Sequence, residues 1–105
     1  MEIFDIFIAY VAWEGSGKLR PVLVIERQDT VLSVFNITTR YDEKSEVIRS
    51  KYFKINDWQQ AGLDKPSYID TATIRNLPKV AWDGKTPIGK LTEADKLRFL
   101  DFLPY

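Results

Sequence analysis

Lys18-Leu19-Arg20-Pro21-Val22-Leu23-Val24-Ile25 is the stretch whose reading decides the fold. A polar loop, Glu14-Gly15-Ser16-Gly17, runs into one arginine, a proline and then a purely apolar run. Proline fixes φ and lacks an N–H, so it suits the first position of a strand, where no ladder bond is lost. That arrangement locks the exit from the loop and aims Arg20 away from the apolar residues behind it. A second apolar strand, 31–38, ends in Thr38-Thr39-Arg40. Paired as neighbours, the two strands bring a guanidinium beside hydroxyls at one end of a small sheet. Such a cluster can grip a phosphate.

The strands on either side extend this reading. Residues 3–11 are aromatic and β-branched and read as a mostly buried strand. A loop follows over 13–19, then strands over 21–26 and 31–38 joined by a short turn at Gln28-Asp29, a meander that predicts antiparallel pairing. A charged connection spans 40–44, and 46–55 alternates loosely, with Val47, Arg49, Lys51, Phe53 and Ile55 on one face, as an edge strand would. Asn56 opens and Gly62 closes a predicted helix over 56–61. Strands over 66–75 and 78–82 precede the Asp83-Gly84 turn. Thr92-Glu93-Ala94-Asp95 caps a final helix over 93–103, with Asp95 in the place of the usual capping-box glutamate. Ala94, Leu97, Leu100 and Leu103 form one stripe of that helix, and Phe99 and Phe102 lie well round to another side. The expectation is that one side packs on the sheet and the side with Phe99 and Phe102 meets a second subunit or neighbouring loops. Many short strands with a C-terminal helix predict a mainly β chain, a small and partly open antiparallel barrel.

Composition narrows the chemistry. At 105 residues, 45% apolar and 29% charged, the chain is expected to form one globular domain over 1–105. It contains no cysteine, so no disulfide framework or thiolate metal site, and no histidine, the commonest metal ligand and general acid–base. No tight acidic cluster suggests magnesium either, and no cofactor is expected. Fifteen basic residues balance fifteen acidic ones, which argues against wrapping duplex DNA but leaves room for a local grip on a few nucleotides. No run approaches membrane-spanning length, and a cytoplasmic location with no membrane partner is the default expectation.

Together these residues resemble a family. Asp5-Ile6-Phe7-Ile8, the Gly/Ser loop, the Arg-Pro-Val-Leu-Val-Ile strand and the Ile37-Thr38-Thr39 strand end look like the MazF/PemK-like toxins. These are endoribonucleases of bacterial type II toxin–antitoxin pairs. The likeness continues in order through Lys65-Pro66-Ser67-Tyr68-Ile69, Ile74-Arg75 and Ile88-Gly89-Lys90-Leu91 into the last helix. It implies an SH3-like barrel, a homodimer, an acidic antitoxin partner, and metal-independent cleavage of single-stranded RNA as an mRNA interferase. The family's catalytic arginine falls on Arg20 and its catalytic threonine on Thr38. Two positions depart from the pattern: Phe4 stands where the family usually has glycine, and Ala72 where many members have an acidic residue. Asp70 lies two residues before Ala72 and, with a period of two, faces the same way one step along.

On this reading the ribose 2′-OH attacks the adjacent phosphate, Arg20 stabilises the phosphorane oxygens, and Thr38 donates to a phosphate oxygen. Arginine is not a base at neutral pH, so Glu14 in the loop and Asp70 on the strand are the candidate proton acceptors. Trp13 offers a ring for base stacking, and Ser16, Lys18, Thr39, Arg40 and Arg75 are candidates for the RNA-binding rim. Ala72 favours the rival, a catalytically silent MazF/CcdB-like module that binds a protein partner, of the gyrase or antitoxin type.

Overall fold

The computed structural model describes residues 1–104, with the backbone but not the side chain of Trp13. Six strands form one antiparallel sheet: β1 (Asp5–Trp13), β2 (Ser16–Arg27), β3 (Val31–Thr38), β4 (Tyr52–Ile55), β5 (Ser67–Pro78) and β6 (Gly89–Lys90). Their order across the sheet is β4-β5-β3-β2-β1-β6, and the sheet curls into a half-barrel. Three helices complete the fold: α1 (Glu46–Arg49), α2 (Lys79–Trp82) and α3 (Glu93–Phe102). This is the mainly β, partly open antiparallel barrel that the sequence predicts.

The central strands are apolar on both sides, and that dictates the layers. Side chains alternate across a strand. Ile6, Leu23, Phe35, Ile37 and Ile69 therefore fall on one face, and Phe7, Val22, Val24, Leu32 and Val34 on the other, all at most 2% exposed. Each face needs its own cover. The first lies under α3 and the 56–63 segment, through Phe99, Ala61 and Leu63. The second lies under α2, through Trp82, whose indole N–H donates to the Leu77 carbonyl at 3.2 Å. Two irregularities adjust the strands. Ile25 is an extra residue of β2, because Val24 pairs with Val34 and Glu26 with Ser33. In β5 the register steps from Ile74 opposite Phe35 to Asp70 opposite Asn36, so 71–73 have no partner on β3.

Several sequence expectations take a different local form. The 13–19 loop is instead a hairpin whose strands pair out to Trp13–Ser16, leaving a two-residue turn at Glu14-Gly15 in which Gly15 adopts φ +70°. The N-terminal half of the 46–55 strand is α1, because the Ser45 hydroxyl accepts from the Ile48 N–H and caps a helix there. The predicted 78–82 strand is α2, which Pro78 opens. The 56–61 helix is reduced to hydrogen-bonded turns, with Leu63 N–H donating to the Trp58 carbonyl at 2.9 Å.

The last helix is turned relative to expectation. Phe99 is fully buried and meets Phe35 and Phe53 edge-to-face, with centroids 6.2 and 5.1 Å away, while Leu97 and Leu100 face outward at 57% and 47% exposure. Asp95 explains the rotation. Its carboxylate does not close a capping box. It is buried at 1% exposure, accepts from the backbone N–H of Asp57 at 2.7 Å and of Asn56 at 3.3 Å, and is bridged by Arg98 at 2.6 Å. Thr92 Oγ1 accepts from the Asp95 N–H and donates to Asp57 Oδ2 at 2.7 Å. The helix is thus clasped to the end of β4 by the side containing Asp95 and Phe99.

A second clasp is steric. Gly62, at φ +90°, and Gly89 lie where two backbones touch: a Cβ at Gly62 would strike the Ile88 carbonyl, and one at Gly89 the Ala61 carbonyl. Phe4 takes φ 74°, the left-handed region that favours glycine, with its N–H donating to the Val24 carbonyl at 2.8 Å and its carbonyl accepting from Leu91 at 3.1 Å. The glycine expected from the resemblance is absent at Phe4, but the backbone conformation that glycine favours is present.

Asp95→Ala leaves two inward-facing N–H groups without their acceptor and removes the ion pair with Arg98. It should cost about 3 kcal/mol in urea-induced unfolding, against roughly 0.5 kcal/mol or less for Leu97→Ala on the exposed side of the same helix.

Candidate functional site

The candidate site forms where two neighbouring strands part. The last β2–β3 pair is Val22 opposite Asn36. Beyond it β2 stays with β1 out to Ser16, while β3 runs on to Thr38 beside Tyr68 of β5. A notch opens between them and widens into a cavity of about 600 Å³. Its walls include Lys18 and Arg20 from β2, Thr38 from β3, Arg40 and Lys44 from the following connection, and Tyr52 and Asp70 from β4 and β5.

Register explains why these side chains meet. Asn36 of β3, Asp70 of β5 and Tyr52 of β4 are successive cross-strand partners and share a face with Val22. Arg20 and Thr38 stand two residues on along β2 and β3, on the same side. This is the face that α2 covers further along; its cover ends before the row of Asn36. Polar groups take over where the apolar cover stops.

Four basic side chains against one carboxylate give the cavity a positive excess in a chain whose formal charge is zero. Arg40 is also bridged to Glu43 at 3.5 Å in an exposed pair, which contributes little to stability. Thr38 Oγ1 accepts from the Arg40 N–H at 3.1 Å, so the hydroxyl hydrogen remains to donate. Asp70 Oδ1 accepts from the Ala72 N–H at 2.9 Å and ties down the start of the bulge; its other oxygen has no such duty in that turn. Thr71 anchors the same bulge to the Lys51 carbonyl through both its N–H and its hydroxyl. Over the end of the sheet, Tyr41 stacks on Tyr68 with ring centres 4.3 Å apart, and Arg49 lies over the Tyr41 ring at 5.6 Å. These contacts seat the connection that carries Arg40 and Lys44.

Of the residues singled out in the sequence, Arg20, Thr38, Asp70, Lys18, Thr39 and Arg40 line this one cavity. Glu14 and Ser16 do not. They sit at the tip of the β1–β2 hairpin, and Ser16 is four residues from Arg20, roughly 13 Å along an extended strand. Arg75 pairs with Val34 on the far side of the bulge, and its buried Nε has no hydrogen-bond partner among the described residues. The Trp13 side chain lies outside the described residues. Ala72 falls within the bulge, so the period-two argument linking it to Asp70 fails; Asp70 reaches the cavity through its own pairing with Asn36. Among the described residues no three carboxylates converge, and Asp70 is the sole anionic group in the cavity wall.

Tyr52 is the residue that sequence reasoning passed over. Once Phe53 and Ile55 are given to the core, alternation turns Tyr52 and Lys54 to the opposite face, which was the available signal. Burial raises the Tyr52 phenol above its ordinary value of 10.0, the Asp70 charge adds to the rise, and Arg20 opposes it. Tyr52 is therefore a neutral O–H donor at physiological pH. Leu19, Pro21, Ile37, Lys44 and Ser67 are the other lining residues that the sequence did not mark as site candidates.

Compared with known proteins, the chain matches no protein-family model, and no curated protein is significantly similar to it.

The three-way coupling around Tyr52 is directly measurable. In a pH titration followed by the NMR signal of the Tyr52 ring, Asp70→Asn should lower the titration midpoint and Arg20→Ala should raise it. The folded state holds this proton more tightly than the unfolded chain. Its contribution to stability is therefore intact below pH 10 and is lost as pH rises through the folded value.

Proposed function

We propose that this chain is the toxin component of a type II toxin–antitoxin system, an endoribonuclease that cleaves single-stranded RNA without metal, as its resemblance to the MazF/PemK-like toxins implies. One observation carries the proposal. Arg20 and Thr38, far apart in sequence, line the same cationic cavity together with Asp70. The left-handed backbone at Phe4, where that family usually has glycine, is a second point of agreement.

In the proposed reaction the 2′-oxygen forms a bond to phosphorus as it gives up its proton to the second Asp70 oxygen. Negative charge grows on the non-bridging oxygens, where the Arg20 guanidinium offers paired donors fixed in one plane. Thr38 donates to one of the same oxygens. The bond from phosphorus to the 5′-oxygen then breaks, leaving a cyclic phosphate, and the departing oxygen takes up a proton. That proton comes from the hydroxyl of Tyr52, which lines the cavity and lies cross-strand from Asp70. Glu14, at the hairpin tip, is not given a role in proton transfer. The engagement of Asp70 with the bulge favours the rival, a binding module without cleavage, since part of the one carboxylate that the described residues place in the wall is already used.

The proposal extends to partners. An acidic antitoxin segment would compete with RNA for Lys18, Arg20, Arg40 and Lys44. A homodimer would use the outward side of α3, Leu97 and Leu100, with the exposed Ile74 of β5 beside Leu100; of the two covers expected for the Phe99 side, a second subunit or neighbouring parts of the chain, Phe99 has the second. Among the described residues no helix is long and apolar enough to cross a membrane.

Incubation of the purified protein with a long single-stranded RNA in EDTA tests the reading. Cleavage should fall about a hundredfold or more in Arg20→Ala, with little recovery in Arg20→Lys, because a point charge lacks the bidentate fork. Asp70→Asn should also lose cleavage while still binding RNA. Intact RNA with the wild-type protein would leave the binding-module reading in its place. Sedimentation at micromolar concentration tests the dimer, which Leu100→Lys should weaken.

A further inference from the structure

A second, smaller pocket adjoins the cationic cavity, and we infer that it is a nucleobase subsite, so that the two together hold one nucleotide of a single strand. The inference rests on the cationic cavity holding phosphate. The pocket, about 210 Å³, shares three wall residues with that cavity: Pro21, Thr39 and Ser67. Two of these directly follow the phosphate candidates in sequence, Pro21 after Arg20 and Thr39 after Thr38. In β2, successive side chains leave opposite faces of the strand, so Arg20 lines the larger compartment alone and Pro21 carries the wall round into the smaller one.

The two compartments differ in chemistry as the parts of a nucleotide do. The larger has the basic excess described above. The smaller is walled by Ile8, Pro21, Leu63 and Ile88, with Asp64 and Lys65 as its charged members, one of each sign. Ile8 and Ile88 remain 36% and 40% exposed, so apolar surface stands open to solvent beside a site for a charged group. Covering such surface with a flat ring is favourable at about 25 cal/mol per Å² of apolar area removed from water. The pocket is also rigid on one side. Gly62 and Ile88, which both line it, are the residues pressed together at the backbone crossing, so this wall is already in place before a ligand arrives. Neither compartment suffices alone: the apolar pocket is small, and the basic cavity cannot tell one phosphate from another. A phosphate held by Arg20 presents its attached base to the neighbouring pocket at high effective concentration.

Calorimetric titration with inorganic phosphate, ribose 5-phosphate, uridine 5′-monophosphate and adenosine 5′-monophosphate tests this inference. At least one of the two nucleotides should bind about tenfold or more tightly than ribose 5-phosphate, the gain of one covered apolar face. Ile88→Trp fills the pocket from its exposed rim. It should abolish that advantage while leaving ribose 5-phosphate binding as in the wild type, and a thermal melt verifies that the variant is folded. Arg20→Ala should weaken all four ligands. Equal binding of ribose 5-phosphate and both nucleotides, or a nucleotide advantage that survives Ile88→Trp, would overturn the subsite alone. Failure of inorganic phosphate and ribose 5-phosphate to bind at all would overturn the phosphate reading of the larger cavity and the subsite with it.

Discussion

The β2–β3 pair is apolar on both faces, and the elements that cover the sheet are placed to satisfy that constraint. A strand pair with Leu23 and Phe35 on one side and Val22 and Val34 on the other cannot lie at a protein surface. A chain of this length cannot supply two full layers of helix. It curls the sheet, lays α3 and the 56–63 segment over one side, and covers part of the other with the single turn of α2. The candidate site lies where this second cover ends. Buried apolar area and an open polar cavity are therefore two parts of one face, and the transition falls at the row of Asn36, Asp70 and Tyr52.

The covers are held by few contacts. Asp95 carries a charge in the interior, where an unpaired carboxylate would be strongly disfavoured, and it is compensated by two backbone N–H groups and Arg98. The crossing of Gly62 and Gly89 needs no attractive group, because removing both side chains lets the backbones meet. Both devices bring the 56–63 segment against the sheet, and that segment provides Leu63 to the core and Gly62 to the smaller pocket.

Much of this was legible in the sequence, for identifiable reasons. The apolar run at Pro21 to Ile25 and the Thr-Thr end of β3 are strong signals that depend on few neighbours; β3 forms as read, and β2 contains the apolar run but begins at Ser16, five residues before the start read at Pro21. The sequence also points to Arg20 and Thr38 as a pair, and they line one cavity. What escaped was set by tertiary structure. Asp95 reads locally as a helix cap, but its partners lie 38 and 39 residues away. The stripe of Ala94, Leu97 and Leu100 has the more regular spacing, yet the clasp at Asp95 selects the side containing Phe99 for burial. Glu14 was grouped with Arg20 because the loop over 13–19 was read as running straight into Arg20, and extension of the hairpin separated them. Tyr52 was set opposite Phe53 and Ile55 by the strand reading itself; what escaped was the pairing of β4 with β5 that brings it opposite Asp70.

The bulge at 71–73 has a consequence for how the chain can vary in length. Residues 68–70 and 74–78 are each registered on β3 by their own pairs, and the three residues between them answer to no partner there. Elsewhere in β5, inserting or deleting one residue would turn a whole set of side chains through the sheet. Within 71–73 such a change need only make the bulge longer or shorter. Asp70 would keep its place opposite Asn36, and Leu77 its place in the core. The bulge therefore gives descendants of this sequence a place to gain or lose residues beside the cavity without disturbing the wall that carries its carboxylate.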